Sequence, residues 1–302
     1  MTDFQNQEQE KSPVYINPMT DFGIKRIFYM TRRGPERLTS FLRAFLPDVM
    51  KDVVNITYKP TELLGEAESE KKVLFDIYCV TDNGKHFVVE MQRAKQSFFT
   101  DRIITYDSRV VSSEVERGDT EYRIPTVICF SILDYNSDML AHSEKAFHVG
   151  KVRDEEQMII SEKKVFCFLE LSKFAAQNIG QLKDINFLDD SQKWAFSLKN
   201  MHRMEEQDLS GEDEIFQQLF EDCRLSKLKT MEKKEYKKSL MDYYDVRDAV
   251  NVAREDGRKE GRVEEKHLLA RNMLAKGLEP TLVAEISGLT EDEVMALMVV
   301  NG

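Results

Sequence analysis

Residues Lys71 to Gln92 spell two strands and the turn between them, and that turn decides which side chains share a face. Lys71–Thr81 and Lys85–Gln92 are rich in β-branched and aromatic residues, and Asp82-Asn83-Gly84 lies between them. A glycine there supplies the positive φ that hairpin turns require. A three-residue loop, a type I turn closed by left-handed Gly84, pairs Thr81 with Lys85. It then sets Cys79, Ile77 and Phe75 against Phe87, Val89 and Met91 on a wholly apolar face. The opposite face carries Val80–His86, Tyr78–Val88, Asp76–Glu90 and Leu74–Gln92. A two-residue turn would slip the register by one and mix both faces, so the hydrophobic pattern selects the first alignment.

The selected register opposes two carboxylates, Asp76 and Glu90. Directly opposed residues have Cβ atoms roughly 4.5–5.5 Å apart, where like charges repel. Such a pair needs a shared proton or a bridging cation, unless both side chains splay into solvent at the sheet's end. Mg²⁺ takes carboxylate oxygens and keeps several waters, which suits a site with two acidic ligands.

The chain has 302 residues, enough for one large domain or a domain with an appendage. A hydrophobic content of 41% with 32% charged residues describes a soluble globular protein. No apolar run reaches bilayer length and the N-terminus is polar, so a cytoplasmic protein with no membrane partner is expected. Cys79, Cys129, Cys167 and Cys223 are far apart, without metal-ligand spacing, which fits a reducing compartment. The five histidines are isolated from one another and from other ligand types. The net charge of −11 argues against a protein that coats itself with nucleic acid. Basic residues nevertheless gather at Lys25, Arg26, Arg32, Arg33, Arg37 and Arg43, and again at Arg93, Lys95, Arg102 and Arg109.

Residues 1–13 are polar and read as disordered. Thr20-Asp21 opens a short helix, and Pro35 opens a second with Leu38, Phe41, Leu42 and Phe45 at helical spacing. Val53–Tyr58 reads as a strand and Glu62–Glu70 as a connection. Ser97 is expected to cap a helix running to Glu116, with Phe99, Ile103, Tyr106 and Val110 buried and Gly118 past its end. Ile124–Leu133 is nearly continuous in apolar residues, the mark of a central strand covered on both faces. Shorter strands near Ala146–Val152 and Val165–Leu171 complete an α/β core with a mixed sheet flanked by helices, followed by a helical C-terminal extension. The domain reading is 14–230 for the core, 231–262 for a charged helical linker with weak points at Gly257 and Gly261, and 263–302 for a small helical segment. Thr290 and Glu293 form a capping box. The tail has the outline of a helix-turn-helix, but Glu291–Val300 is acidic, so a small bundle or oligomerisation tail is preferred. No internal repeat, phosphate-cradling glycine loop or zinc motif is present.

Four segments carry a family resemblance: Thr20-Asp21-Phe22-Gly23-Ile24-Lys25-Arg26-Ile27-Phe28, Phe75-Asp76-Ile77, Val89-Glu90-Met91-Gln92 and Arg102-Ile-Ile-Thr-Tyr106. In that order and spacing the chain, over roughly 15–240, resembles the Rpn family of recombination-promoting nucleases, also labelled PD-(D/E)XK nuclease family transposases. The resemblance implies a restriction-endonuclease-like fold and Mg²⁺-dependent cleavage of DNA, with Mn²⁺ as a substitute. It implies that Asp76, Glu90 and the main-chain carbonyl of Met91 ligate the metal, and that Gln92 occupies the position of the motif's lysine. Gln92 hydrogen-bonds but carries no charge to lower a water's pKa. Losing one preorganised electrostatic group costs about 2.7–4 kcal/mol of barrier.

Lys95 or Arg102 could reach the phosphate instead. Arg102 and Tyr106 lie one turn apart and read either as phosphate contacts and supports of the acidic pair, or as a salt bridge and a packed ring. Asp21 reads as a helix-start residue favoured by the macrodipole, or as an extra acid at the site. Glu66, Glu68 and Glu70 precede the hairpin and could lend a third carboxylate, with a solvated loop the preferred reading. The rival function is a catalytically weak or idle DNA-binding or assembly protein on a nuclease scaffold. A homodimer through the C-terminal helices, testable with a chain ending near Leu228, would suit a double-strand cut.

Overall fold

The computed structural model describes residues 13–63, 73–115, 123–174, 188–205 and 213–299. The expected disordered segment up to residue 12, Glu66, Glu68, Glu70, Glu116 and Gly118 lie outside them. The chain divides into two compact units, Met1–Tyr244 and Asp245–Gly302.

The first unit is built on a six-stranded mixed sheet in the order β1-β4-β5-β6-β8-β7. Its strands are β1 (Ile56–Tyr58), β4 (Ile77–Thr81), β5 (Lys85–Gln92), β6 (Thr126–Leu133), β7 (Phe147–Arg153) and β8 (Ile159–Glu170). β4 pairs antiparallel with β1 and with β5. β5, β6 and β8 run parallel, and β7 returns antiparallel along β8. A separate two-stranded ribbon joins β2 (Glu62–Leu63) to β3 (Val73–Leu74). The apolar run of β6 sits at the sheet's centre, where both faces are covered.

Alternation along the strands sorts side chains onto the two faces. Ile77, Phe87, Val89, Ile128, Phe130 and Ile132 pack into the main core with α1 (Asp21–Phe28), α2 (Gly34–Phe45), α5 (Asp190–Asn200), α6 (Glu214–Asp222) and the start of α7 (Thr230–Ala275). Phe41 is the hub of this core, with ring centroids 5.2 Å from Phe28, 5.1 Å from Phe45, 5.0 Å from Phe130 and 5.8 Å from Trp194. The other face carries Tyr78, Val88, Val127 and Cys129 under α4 (Phe99–Glu114), which buries Phe99, Ile103, Tyr106, Asp107 and Val110.

Local chemistry accounts for the element ends. Thr20 caps α1 by accepting the Gly23 N–H at 2.9 Å. A Cβ at Gly23 would lie 2.1 Å from the Asn17 carbonyl oxygen, so this turn admits glycine alone. At the β4–β5 turn Gly84 has φ +76° and donates its N–H to the Thr81 carbonyl at 2.9 Å, as the three-residue loop requires. α4 starts differently from expectation: Phe98, not Ser97, occupies the cap position, and no side chain caps that end.

α7 also departs from the sequence reading, continuing through Gly257 and Gly261 to Ala275. Each glycine costs only about 1 kcal/mol against alanine. The Arg, Lys and Glu residues around them are good helix formers, and Lys259–Glu255 adds an i,i+4 pair at 3.4 Å. The start of α7 belongs to the first unit. Tyr236 accepts the Asn17 N–H at 2.9 Å and Ser239 accepts the Phe22 N–H at 3.0 Å.

In the second unit the end of α7 packs with α8 (Pro280–Ser287) and α9 (Glu291–Val299) around Ala270, Val283, Ala284, Val294 and Leu297. Gly288 closes α8 in the left-handed region, and the Thr290–Glu293 capping box starts α9. All four cysteines are buried and free. Among the described residues no helix is long and apolar enough to cross a membrane.

A candidate metal centre at the end of the β4–β5 hairpin

The hairpin pairs Ile77, Tyr78, Cys79 and Val80 with Val89, Val88, Phe87 and His86, the register that the apolar pattern selects. Beyond Ile77 the ladder stops. Asp76 sits in a bend, and Leu74 pairs with Glu62 rather than with Gln92. Asp76 and Glu90 are therefore not a ladder pair. The Asp76 N–H donates to Glu90 Oε1 at 3.0 Å, while the Met91 N–H donates to Asp76 Oδ2 at 2.8 Å. Each carboxylate thus replaces a strand carbonyl as acceptor for the opposite backbone, which ends the sheet and interlocks the two acids. The bend also corrects Phe75, expected beside Ile77. It turns to the α4 side instead, 5.0 Å from the Tyr106 ring and 5.5 Å from Tyr78.

Glu90 is 4% exposed and Asp76 half-buried. Burial and then the neighbouring Asp76 charge push Glu90 up to about 8. Asp76 is raised as well, by burial first, against the Met91 hydrogen bond that lowers it. The cation on Glu90 is Arg102, whose Nη2 lies 3.0 Å from Glu90 Oε2, while Lys25 and then Arg102 act on Asp76 through space. Its Nη1 donates to Gln96 Oε1 at 2.8 Å and its guanidinium lies 5.5 Å from the Tyr106 ring centroid. The Tyr106 ring is buried, and its hydroxyl donates to the Leu74 carbonyl at 3.4 Å.

The other sequence-predicted residues divide into near and far. Gln92 is 3% exposed and, two residues along β5, shares the face of Glu90. Its carbonyl accepts the Asp134 N–H at 2.9 Å. In an extended strand the N–H and C=O of one residue point to the same edge. The Met91 carbonyl therefore points to the edge at which Asp76 accepts its N–H. Asp21, in the first turn of α1 and 2.9 Å from Lys25, is close enough to raise Asp76 through space. Lys95 is exposed and held by Asp138 at 2.6 Å, so it does not join the acidic pair.

These donors fit a hard divalent cation. Among the described residues no cluster of three or more His, Cys, Asp and Glu side chains offers an all-protein cage. Two carboxylates and one carbonyl leave the remaining positions to water, the manner in which Mg²⁺ is usually held.

Sequence reasoning missed two buried carboxylates. Asp107, 1% exposed, pairs with Lys164. Its signal was its place four residues after Ile103 on the buried stripe of α4. Glu170, fully buried at the end of β8, accepts the Ser137 N–H at 2.6 Å and meets Lys173 at 2.6 Å. Nothing in the local sequence marks it.

Residues 18–253 match the family described as PD-(D/E)XK nuclease family transposase. The chain belongs to this family. Asp76, Glu90 and Gln92 of this PD-(D/E)XK chain all fall inside the matched span. Residues 264–299 match a second family, described as Rpn/YhgA-like nuclease family, C-terminal HTH domain. That match favours the helix-turn-helix outline over a plain bundle. The acidity that argued against a helix-turn-helix is concentrated in Glu291, Asp292 and Glu293, in the first turn of α9. There it complements the helix dipole and completes a cap, so it reports helix start rather than fold. No curated protein and no solved structure matches the chain.

Proposed function

We propose that this PD-(D/E)XK chain is a divalent-metal-dependent endodeoxyribonuclease that hydrolyses DNA phosphodiester bonds, using Mg²⁺ or Mn²⁺ in a cytoplasmic setting. One observation carries the proposal: buried Glu90 and half-buried Asp76 each accept a backbone N–H from the other's segment, with the Met91 carbonyl on the same edge. Asp76, Glu90 and Met91 would hold the ion. When bound, the ion would lower the pKa of its water and neutralise charge on the phosphate. Gln92, on the face of Glu90, would orient the attacking water through its amide. Arg102 would face the phosphate side of the site with the buried Tyr106 ring packed against its guanidinium, and Asp21 would tune Asp76 through space. Nicking of supercoiled plasmid with Mg²⁺ or Mn²⁺ tests the proposal, and its absence under all such conditions would refute it.

A second reading keeps the scaffold but little catalysis. Gln92 in place of the lysine favours it, since no positive charge stands at that position. In that case the protein would bind DNA through its helix-turn-helix domain and nick no faster than its own Asp76→Asn variant.

The carboxylate pair also predicts a pH dependence. A group whose pKa is raised on folding stabilises the fold most below its unfolded value, here 4.5. That contribution is lost as pH rises through the folded value, about 8. In chelator, melting temperature is expected to decline between pH 4.5 and about pH 8, and Glu90→Gln to show a clearly shallower decline, the raised Asp76 keeping its own part. Calorimetric scans of both proteins across that window check it.

The homodimer proposal requires a different truncation from the one the sequence suggests. Ending the chain near Leu228 would remove Tyr236 and Ser239, which hold the Asn17 and Phe22 backbone. A chain ending at Tyr244 keeps the whole first unit. If the C-terminal helices pair two protomers, light scattering will give the full chain twice its formula mass and the truncated chain its formula mass. An unchanged assembly state would exclude the tail as the dimer element.

A further inference from the structure

Ser131 is the register partner of Glu90 on the neighbouring parallel strand β6. Adjacent strands lie roughly 4.7–4.9 Å apart, and residues in register stand on the same face. The flanking pair Val88 and Cys129 confirms that face, since both pack under α4. Ser131 is 1% exposed, yet its hydroxyl has no hydrogen-bond partner among the described residues. Arg102 Nε, on the guanidinium that reaches Glu90, is likewise buried without a partner. An unpaired buried hydroxyl is a cost to the fold, and an apolar side chain of the same shape is neutral or better there. Among the described residues no contact uses that hydroxyl.

The two oxygens of Glu90 are already taken, Oε1 by the Asp76 N–H and Oε2 by Arg102. A cation that takes Oε2 must part it from Arg102, because both are positive. Arg102 has a way out: its side chain is one-third exposed and its other nitrogen sits on exposed Gln96. Once the guanidinium leaves, Glu90 is tethered through one oxygen only. Ser131, in register with Glu90 on the same face, carries a hydroxyl that can donate.

We propose that Ser131 is a positioning residue for Glu90, its hydroxyl taking over the hydrogen bond that Arg102 gives up when a divalent cation enters. Arg102 is then a place-holding cation on Glu90, released toward the phosphate side when the cation binds. This rests on the metal-centre reading above.

The test is calorimetric titration of Mn²⁺ into the full chain, all proteins at one pH. Wild type is compared with Ser131→Ala, Ser131→Thr, Arg102→Gln and Asp76→Asn. Ser131→Ala is expected to bind about tenfold more weakly, the low end for loss of a group that orients a ligand. Ser131→Thr, which keeps the hydroxyl, should bind as wild type does. In chelator Ser131→Ala should melt no lower than wild type, an outcome that a merely structural hydroxyl would not give. Arg102→Gln should bind more tightly, because it removes the competitor. Equal binding by Ser131→Ala, or weaker binding by Arg102→Gln, would overturn the hand-over while leaving the metal centre standing. Failure of wild type to bind Mn²⁺ any better than Asp76→Asn would overturn the metal centre and this inference together.

Discussion

Asp76→Asn is expected to lower Mg²⁺-dependent plasmid nicking by on the order of 10³-fold, at the upper end of what one preorganised electrostatic group supplies. The same change should abolish the rise in melting temperature that Mg²⁺ gives the parent. At a free concentration one hundred times its Kd, an ion that binds only the folded state stabilises by about 2.7 kcal/mol. For a domain of this size that corresponds to roughly 5–10 °C. Asparagine keeps an oxygen to accept the Met91 N–H, which Asp76 accepts at 2.8 Å. It also removes the charge that helps to raise Glu90. The cation-free variant should therefore melt at or above the parent's temperature, which separates loss of the ion from loss of the fold. A plasmid assay and a melting curve with and without Mg²⁺, run on both proteins, read out all three expectations.

The largest effect on stability is expected at Phe41, far from the carboxylates. Its ring meets Phe28, Phe45, Phe130 and Trp194, so it ties α1, α2, β6 and α5 together at one point. Phe41 is fully buried, and its neighbours are large rings that refill a cavity poorly. Phe41→Ala should cost about 3–5 kcal/mol, and Phe41→Leu, which fills more of the space, clearly less. Denaturant unfolding of the three proteins measures the difference. Near-equal midpoints would mean that the helical layer and the sheet are not joined through this ring.

What the sequence discloses about this fold follows from where local chemistry dominates. The Asp82-Asn83-Gly84 turn sets the β4–β5 register, because the loop length and the apolar face agree on a single alignment. The unbroken apolar run of β6 discloses its central place for the same kind of reason. Phase along α4 places Ile103, Tyr106 and Val110 inward. The reading fails where side chains replace backbone partners. The ladder ends at Ile77 because Glu90 and Asp76 accept the N–H groups that strand carbonyls would otherwise have taken, and no period-2 pattern encodes that substitution. Phe75 changes sides for this reason alone.

The candidate site is legible in part. Glu90 and Gln92 share a face because they lie two residues apart on β5, whereas Asp76 joins Glu90 through side chain–backbone hydrogen bonds beyond the end of the ladder. The Arg102–Glu90 pair joins residues on adjacent elements, and helix phase alone left phosphate contact and ion pair equally open. The detachment of Lys95 depends on Asp138, a residue remote in sequence. Ser131 was silent, since an isolated serine in an apolar strand reads as a small core residue until the register with Glu90 is known. In the tail, overall acidity is a poor guide, because Glu291, Asp292 and Glu293 belong to the first turn of α9 and mark a helix start.

The most direct test of the central claim is the position of an ion. Crystals grown with Mn²⁺ should give an anomalous peak within about 2.5 Å of an oxygen of Asp76, an oxygen of Glu90 and the Met91 carbonyl. A protein that cleaves DNA with Mn²⁺ while its anomalous peak lies away from both carboxylates would contradict the account.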